Sequence, residues 1–208
     1  MPMLGDFADA ARAITRLIEA ATGLNAPFWE TAGRLLEGKL LVERGELAQG
    51  AEVLRDAFNT CSRTGWRISY PEFKGALAQA LAGLGRLDEA LSAANEAVAS
   101  AGLAESGQVW YVPELLRIKG DVLLRQAGDR PAAAAEDCFH QAGEMAREQG
   151  ALFWELRAAL SLARILRDQG RSADAKGILQ PVYDRFTEGF DTADPISARV
   201  LLDTLQPR

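Results

Sequence analysis

One histidine and two cysteines are all that this chain of 208 residues carries of imidazole and thiol. With His140 alone, a His-x-x-x-His zinc pair cannot form, and any Ser-His-Asp or Cys-His arrangement would have to use that single ring. Its neighbour Cys138 is two residues away, which on a helix points the two side chains about 200° apart and rules out a dyad between them. Cys61 and Cys138 show no paired spacing, so no disulfide framework is implied, and both are expected to be helix-packing residues in a reducing compartment. No stretch approaches the roughly 20 apolar residues of a membrane span, and no basic segment followed by an apolar core opens the chain. The expectation is a cytoplasmic protein. There is no Gly-x-x-x-x-Gly-Lys-Ser/Thr phosphate loop, and Gly83-Leu84-Gly85 lacks the later glycine of a dinucleotide fingerprint. An excess of 29 Asp+Glu over 23 Lys+Arg, a net charge of −6, opposes non-specific binding to nucleic acid or an anionic membrane. Neither class of partner is expected, nor any cofactor, metal or catalytic residue.

What the chain does have is a period. Glycine recurs at positions 5, 45, 85, 128 and 170, at intervals of 40, 40, 43 and 42. A small residue follows five positions later at Ala10, Gly50, Ala90 and Ala175. Regular spacing of this size marks a stacked helical repeat. Glycine ends one helix cleanly because it takes a positive φ without steric strain, and the small residue lets the next helix approach. Leu41, Leu81, Leu124 and Leu166 each precede their glycine by four residues. No segment alternates as a strand does, so the class is all-α: antiparallel helix pairs in a right-handed superhelix of about ten helices.

In order, the chain divides into a partial unit at 5–25, four full units at 26–65, 66–107, 108–150 and 151–191, and a capping helix at 194–205. Together these make one repeat domain over 1–208. Gly5 reads as a turn whose preceding helix is missing, so the expectation is an array cut from a longer chain; the alternative is that the first helix is a solitary cap. Ser69 before Pro71 and Asp194 before Pro195 read as helix N-caps with first-turn prolines. The third turn, Gly128-Asp129-Arg130-Pro131, carries two extra residues. Gly102–Gly107 is a longer loop. Ile196, Val200, Leu201 and Leu205 supply the apolar face of the cap. Phe28-Trp29-Glu30 and Phe153-Trp154-Glu155 stand at the same offset from Gly45 and Gly170, which identifies the first and fourth units as copies of one pattern.

Small residues early in the first helix of a pair (Gly38, Ala78, Ala163) and late in the second (Ala57, Ala97, Ala142) resemble the tetratricopeptide pattern, with helices longer by about a turn. The segments 153–175 (FWELRAALSLARILRDQGRSADA), 181–194 (PVYDRFTEGFDTAD) and 112–124 (VPELLRIKGDVLL) further resemble the C-terminal helical arrays of large bacterial signalling ATPases. Those arrays are fused to winged-helix or nucleotidyl cyclase domains. The resemblance implies a regulatory arm with covalent neighbour domains.

The first helix of each pair lines the concave face in such arrays. Counting back from the glycines puts Lys39, Gln79, Arg125, Arg157, Arg164 and Arg167 there, a basic groove suited to an acidic peptide, a carboxylate or a phosphate. Aromatic side chains gather where these helices start: Trp29, Trp66, Tyr70, Trp110, Tyr111 and Trp154. They either grip an extended peptide or staple neighbouring repeats. The expected function is a non-catalytic protein-interaction or regulatory sensor module of a bacterial signalling or transcription-regulating protein. The alternative is a small-ligand or signal-peptide receptor that switches by rearranging the superhelix.

Overall fold

The structure, a computed structural model, describes residues 4–64, 66–102, 109–128 and 132–205. The expected loop beyond Gly102, the turn residues Asp129, Arg130 and Pro131, and Gly65 lie outside the described residues. Ten α-helices follow one another: α1 (Leu4–Gly23), α2 (Pro27–Glu43), α3 (Leu47–Thr64), α4 (Tyr70–Gly83), α5 (Leu87–Ala101), α6 (Val112–Ala127), α7 (Ala133–Glu148), α8 (Leu152–Asp168), α9 (Ser172–Tyr183) and α10 (Ala193–Thr204). A short 3-10 turn at Val109–Tyr111 leads into α6, and no strand occurs among the described residues. The helices fall into two compact units, an N-terminal bundle of α1–α5 and a C-terminal bundle of α6–α10. Within them α2 packs on α3, α4 on α5, α6 on α7 and α8 on α9.

The turns close as the glycine spacing requires. Gly45, Gly85 and Gly170 have φ of 84°, 76° and 78°. The residue after each glycine donates its amide to the leucine four residues before it: Glu46 to Leu41 at 2.9 Å, Arg86 to Leu81 at 2.9 Å, Arg171 to Leu166 at 2.8 Å. The glycine amide bonds one residue further on, to Val42, Ala82 and Arg167. This is the Schellman closure, which uses carbonyls that the helix end would leave unsatisfied. Leucine belongs at that position because its side chain also fills the core; Leu41, Leu81 and Leu166 are all buried. Asn25 (φ 51°) and Gly150 (φ 68°) close α1 and α7 in the same way.

Close helix contact explains the small residues. A Cβ added to Gly50 would lie 2.7 Å from Val42 Cγ2 and 3.0 Å from the Gly38 carbonyl oxygen. One on Gly38 would lie 2.7 Å from Leu54 Cγ. Ala78, Ala90, Ala97, Ala163 and Ala175 are fully buried at corresponding places.

Four local expectations are corrected. Gly5 lies inside α1, which starts at Leu4, so it is not a turn. Ser69 holds the N-cap place of α4 but is left-handed (φ 53°) and makes no side-chain cap bond. Asp194 lies inside α10, whose N-cap is Thr192. Its carboxylate instead meets Arg157. On α10 the buried face is Ala198, Leu201, Leu202 and Leu205, while Ile196 and Val200 are exposed.

Candidate partner-binding face

Within each bundle the first helices of the two pairs share a register that fixes which side chains stand together. Gly38, Ala78 and Ala163 stand seven residues before their turn glycines. In the third repeat that place belongs to Gly120, eight before Gly128. There α6 runs up to the glycine itself, whereas α2, α4 and α8 stop two residues short. Gly120 lies against the Phe139 ring, whose nearest carbon would be 2.5 Å from an added Cβ. With this shift, one position along the helices reads Lys39, Gln79, Asp121, Arg164. Two turns earlier it reads Ala32, Glu72, Glu114, Arg157.

Within each bundle a base on one first helix meets an acid on the other: Lys39 of α2 with Glu72 of α4, and Arg157 of α8 with Glu114 of α6. Lys39 Nζ donates to Glu72 at 2.5 Å and lies 3.6 Å from Glu43. Burial pulls the pKa of its ammonium down, but the two carboxylates outweigh this and leave it raised. In the C-terminal bundle the pairing is denser. Glu114, 3% exposed, accepts from Arg117 (Nε 2.8 Å, Nη2 2.7 Å) and from Arg157 (Nε 3.0 Å, Nη2 2.8 Å). Arg117 also bonds Asp121 on its own helix. Arg157 reaches Asp194 of α10 at 3.0 Å. Burial pushes the Glu114 carboxyl up, yet the two guanidinium groups prevail and hold it below the ordinary carboxylate range. Four donors on one carboxylate make this the tightest polar cluster among the described residues, tying α6, α8 and α10 together.

Two segments match the family model described as tetratricopeptide repeat: residues 71–96 and 156–181. They cover α4 with most of α5, and α8 with most of α9. The chain is a tetratricopeptide-like helical array. No curated protein matches it. Arrays of this kind generally mediate protein–protein interaction.

Of the six polar residues expected on the binding face of the array, Lys39 and Arg157 are held in ion pairs. Gln79 is exposed on α4. Arg125 is exposed on α6, but the one-residue shift puts Leu124, not Arg125, in register with Arg167. Arg164 is exposed and has no ion pair among the described residues. Arg167 is exposed and pairs with its neighbour Asp168 at 2.7 Å. Glu72, Glu114, Arg117 and Asp121 were missed from the sequence. Gly120, the small residue one place out of step, was the signal that would have placed the last three.

The aromatic side chains divide by exposure. Trp66 is 3% exposed and packs on Phe73 with ring centroids 5.5 Å apart. Tyr70 donates to Glu96 at 2.8 Å and lies edge-on to Phe58; burial and that carboxylate raise its hydroxyl's pKa. Tyr111 is buried and meets Trp154 edge-on at 5.4 Å, joining the 3-10 turn to α8. These rings serve packing. Trp29, Trp110 and Phe153 are about half exposed, each lying edge-on to its chain neighbour Phe28, Tyr111 or Trp154.

Among the clefts elsewhere on the array, two hold the glutamates of the Phe-Trp-Glu triplets. One, of about 630 Å³, runs between α2 and α3 in the N-terminal bundle and is lined in part by Glu30, Arg34, Asp56, Thr60 and Arg63. The other, of about 360 Å³, lies among α7, α8 and α9 in the C-terminal bundle. In the second, buried Glu155 accepts from Arg147 Nε at 2.9 Å and Arg185 Nη1 at 2.6 Å. His140 is exposed at its edge and Cys138 is buried on the same helix. Burial raises both thiol pKa values. Among the described residues no three His, Cys, Asp or Glu side chains gather as a metal site, and no helix is long and apolar enough to cross a membrane.

Proposed function

We propose that the chain is a non-catalytic interaction module that presents the exposed face of α8 to an acidic peptide of a protein partner. The observation that supports this is the split among the cations: Arg157 is consumed by Glu114 and Asp194, whereas among the described residues Arg164 faces solvent with no ion pair and Arg167 is held only by an exposed neighbour. An exposed arginine fork without a carboxylate is free to take one from a ligand. Exposed Phe153, at the start of the same helix, adds apolar contact area. The resemblance of segments 112–124, 153–175 and 181–194 to regulatory arrays of bacterial signalling ATPases supports a wider reading: a sensor arm in a cytoplasmic signalling protein whose occupancy alters neighbouring domains. Within this reading the four helix pairs act as one binding domain.

A fluorescence-anisotropy screen of the full chain against acidic, neutral and basic peptides tests the site. Acidic peptides are expected to bind, more weakly as salt rises, and the double change Arg164→Glu with Arg167→Glu should reduce their affinity at least tenfold. Acidic-peptide binding that survives this charge reversal sinks the proposal.

A further inference from the structure

The repeated Phe-Trp-Glu triplet sets Glu30 and Glu155 at corresponding places in two repeats, and the surroundings of the two carboxylates differ in which side chains reach them. Part of the lining corresponds: Val53 of α3 answers to Ile178 of α9, and Ala57 to Val182, whereas Arg34 and Asp56 stand where the second cleft has Ala159 and Pro181. In the C-terminal bundle the Glu155 carboxylate is closed over by Arg147, from the last turn of α7, and by Arg185, just past the end of α9. The residues that answer to these arginines in the N-terminal bundle are Thr22 and Thr60. Neither can supply a cation. The Glu30 carboxylate accordingly makes no hydrogen bond or ion pair among the described residues, and its cleft is nearly twice as large.

We infer that the α2–α3 cleft binds an arginine side chain of a partner peptide, which places on Glu30 the guanidinium that Arg147 and Arg185 place on Glu155. Charge favours this occupant. Asp56 also lines the cleft and has no ion pair among the described residues, while the guanidinium of Arg34 is drawn away to Glu37 at 2.9 Å. Arg63, from the last turn of α3, is the one unpaired cation in the lining. Its donors suit the carbonyl oxygens of the bound peptide rather than its side chain. The hydroxyls of Thr31 and Thr60, 3.3 Å apart, give the wall polar contacts at the place where Arg185 reaches inward in the other bundle. An arginine fits better than a lysine because a planar fork meets both carboxylate oxygens at once, whereas an ammonium acts as a point charge. This site goes beyond the α8 face: it lies in the other bundle and asks for a ligand of opposite charge.

Titrating the isotopically labelled full chain with an acetylated, amidated pentapeptide centred on arginine, and following amide NMR shifts, tests the inference. Shifts confined to α2 and α3 are expected, and affinity should fall at least tenfold when citrulline replaces arginine or when the protein carries Glu30→Gln. Glu155→Gln and the Arg164, Arg167 charge reversal should leave peptide binding unchanged. A second variant, Thr60→Arg, installs the missing guanidinium. It should raise the unfolding midpoint and abolish peptide binding. Equal affinity for the citrulline peptide, unchanged binding by Glu30→Gln, or binding retained by Thr60→Arg each overturns the inference. Free L-arginine binding as tightly as the peptide overturns the choice of a peptide as occupant.

Discussion

Glu114→Gln is the substitution from which most can be learned about this chain. It changes no volume, so it leaves no cavity. It removes one negative charge from a carboxylate that is 3% exposed and accepts four guanidinium hydrogen bonds. The carboxamide keeps one acceptor oxygen and turns an N–H₂ group toward donors. Arg117 is itself buried and cannot turn to water, so its charge is left without full compensation. Breaking a buried pair from one side destabilises by about 3–5 kcal/mol. For a unit of roughly 100 residues, each kcal/mol corresponds to a shift of about 4–8 °C in midpoint. A fall of more than about 10 °C in the C-terminal bundle is therefore expected.

Urea unfolding followed by circular dichroism, on parent and variant side by side, is the assay. Arg164→Gln serves as the control, because an exposed unpaired side chain should move stability by no more than about 0.5 kcal/mol. The pH dependence supplies the sign. A carboxyl whose folded pKa is depressed adds stability above its unfolded value, about 4.3, and loses it as pH falls through the folded pKa. The gap between parent and variant should thus be widest near neutrality and close in acid below the ordinary glutamate range. Replacing Glu114, Arg117 and Arg157 together by methionine removes the charges from both sides, and should recover most of the loss. If Glu114→Gln unfolds within about 0.5 kcal/mol of the parent at pH 7, the cluster is not holding α6 to α8 and the reasoning fails.

Two further changes separate steric from conformational demands on glycine. Gly50→Ala forces a Cβ onto Val42 and the Gly38 carbonyl, and should lower stability by about 1–3 kcal/mol. Gly85→Ala meets nothing within 4 Å and should lose only about 1–2 kcal/mol, through its φ of 76°; equal effects in urea unfolding would show that the close approach of α2 and α3 is softer than the distances imply. Trp66→Ala should destabilise by about 3–5 kcal/mol and leave acidic-peptide anisotropy unchanged per folded molecule, since the ring is buried. A specific loss of binding there would return Trp66 to the contact surface.

What the sequence disclosed and what it hid follow from one difference in range. Gly45, Gly85 and Gly170 close their turns through bonds to residues three and five positions away, so a local pattern was enough to locate every helix pair. The face of a helix depends on more than its turn. In the third repeat α6 continues to its glycine, and a one-residue advance rotates each side chain by about 100°. That rotation takes Arg125 out of register with Arg167 and brings Asp121 to the position of Lys39 and Arg164. A basic groove read from glycine offsets thus becomes, over the first helices, an alternation of Lys39 with Glu72 and of Arg157 with Glu114. Those partners are 33 and 43 residues apart, and no local spacing signals that they meet. The same limit explains Glu30 and Glu155. Their triplets are identical, yet the residues that decide whether each carboxylate is occupied lie on other helices, at 22 and 60 in one case and at 147 and 185 in the other. Repetition announced two equal sites; only the packing of the neighbouring helices shows that one of them is already filled from within the chain and the other stands open.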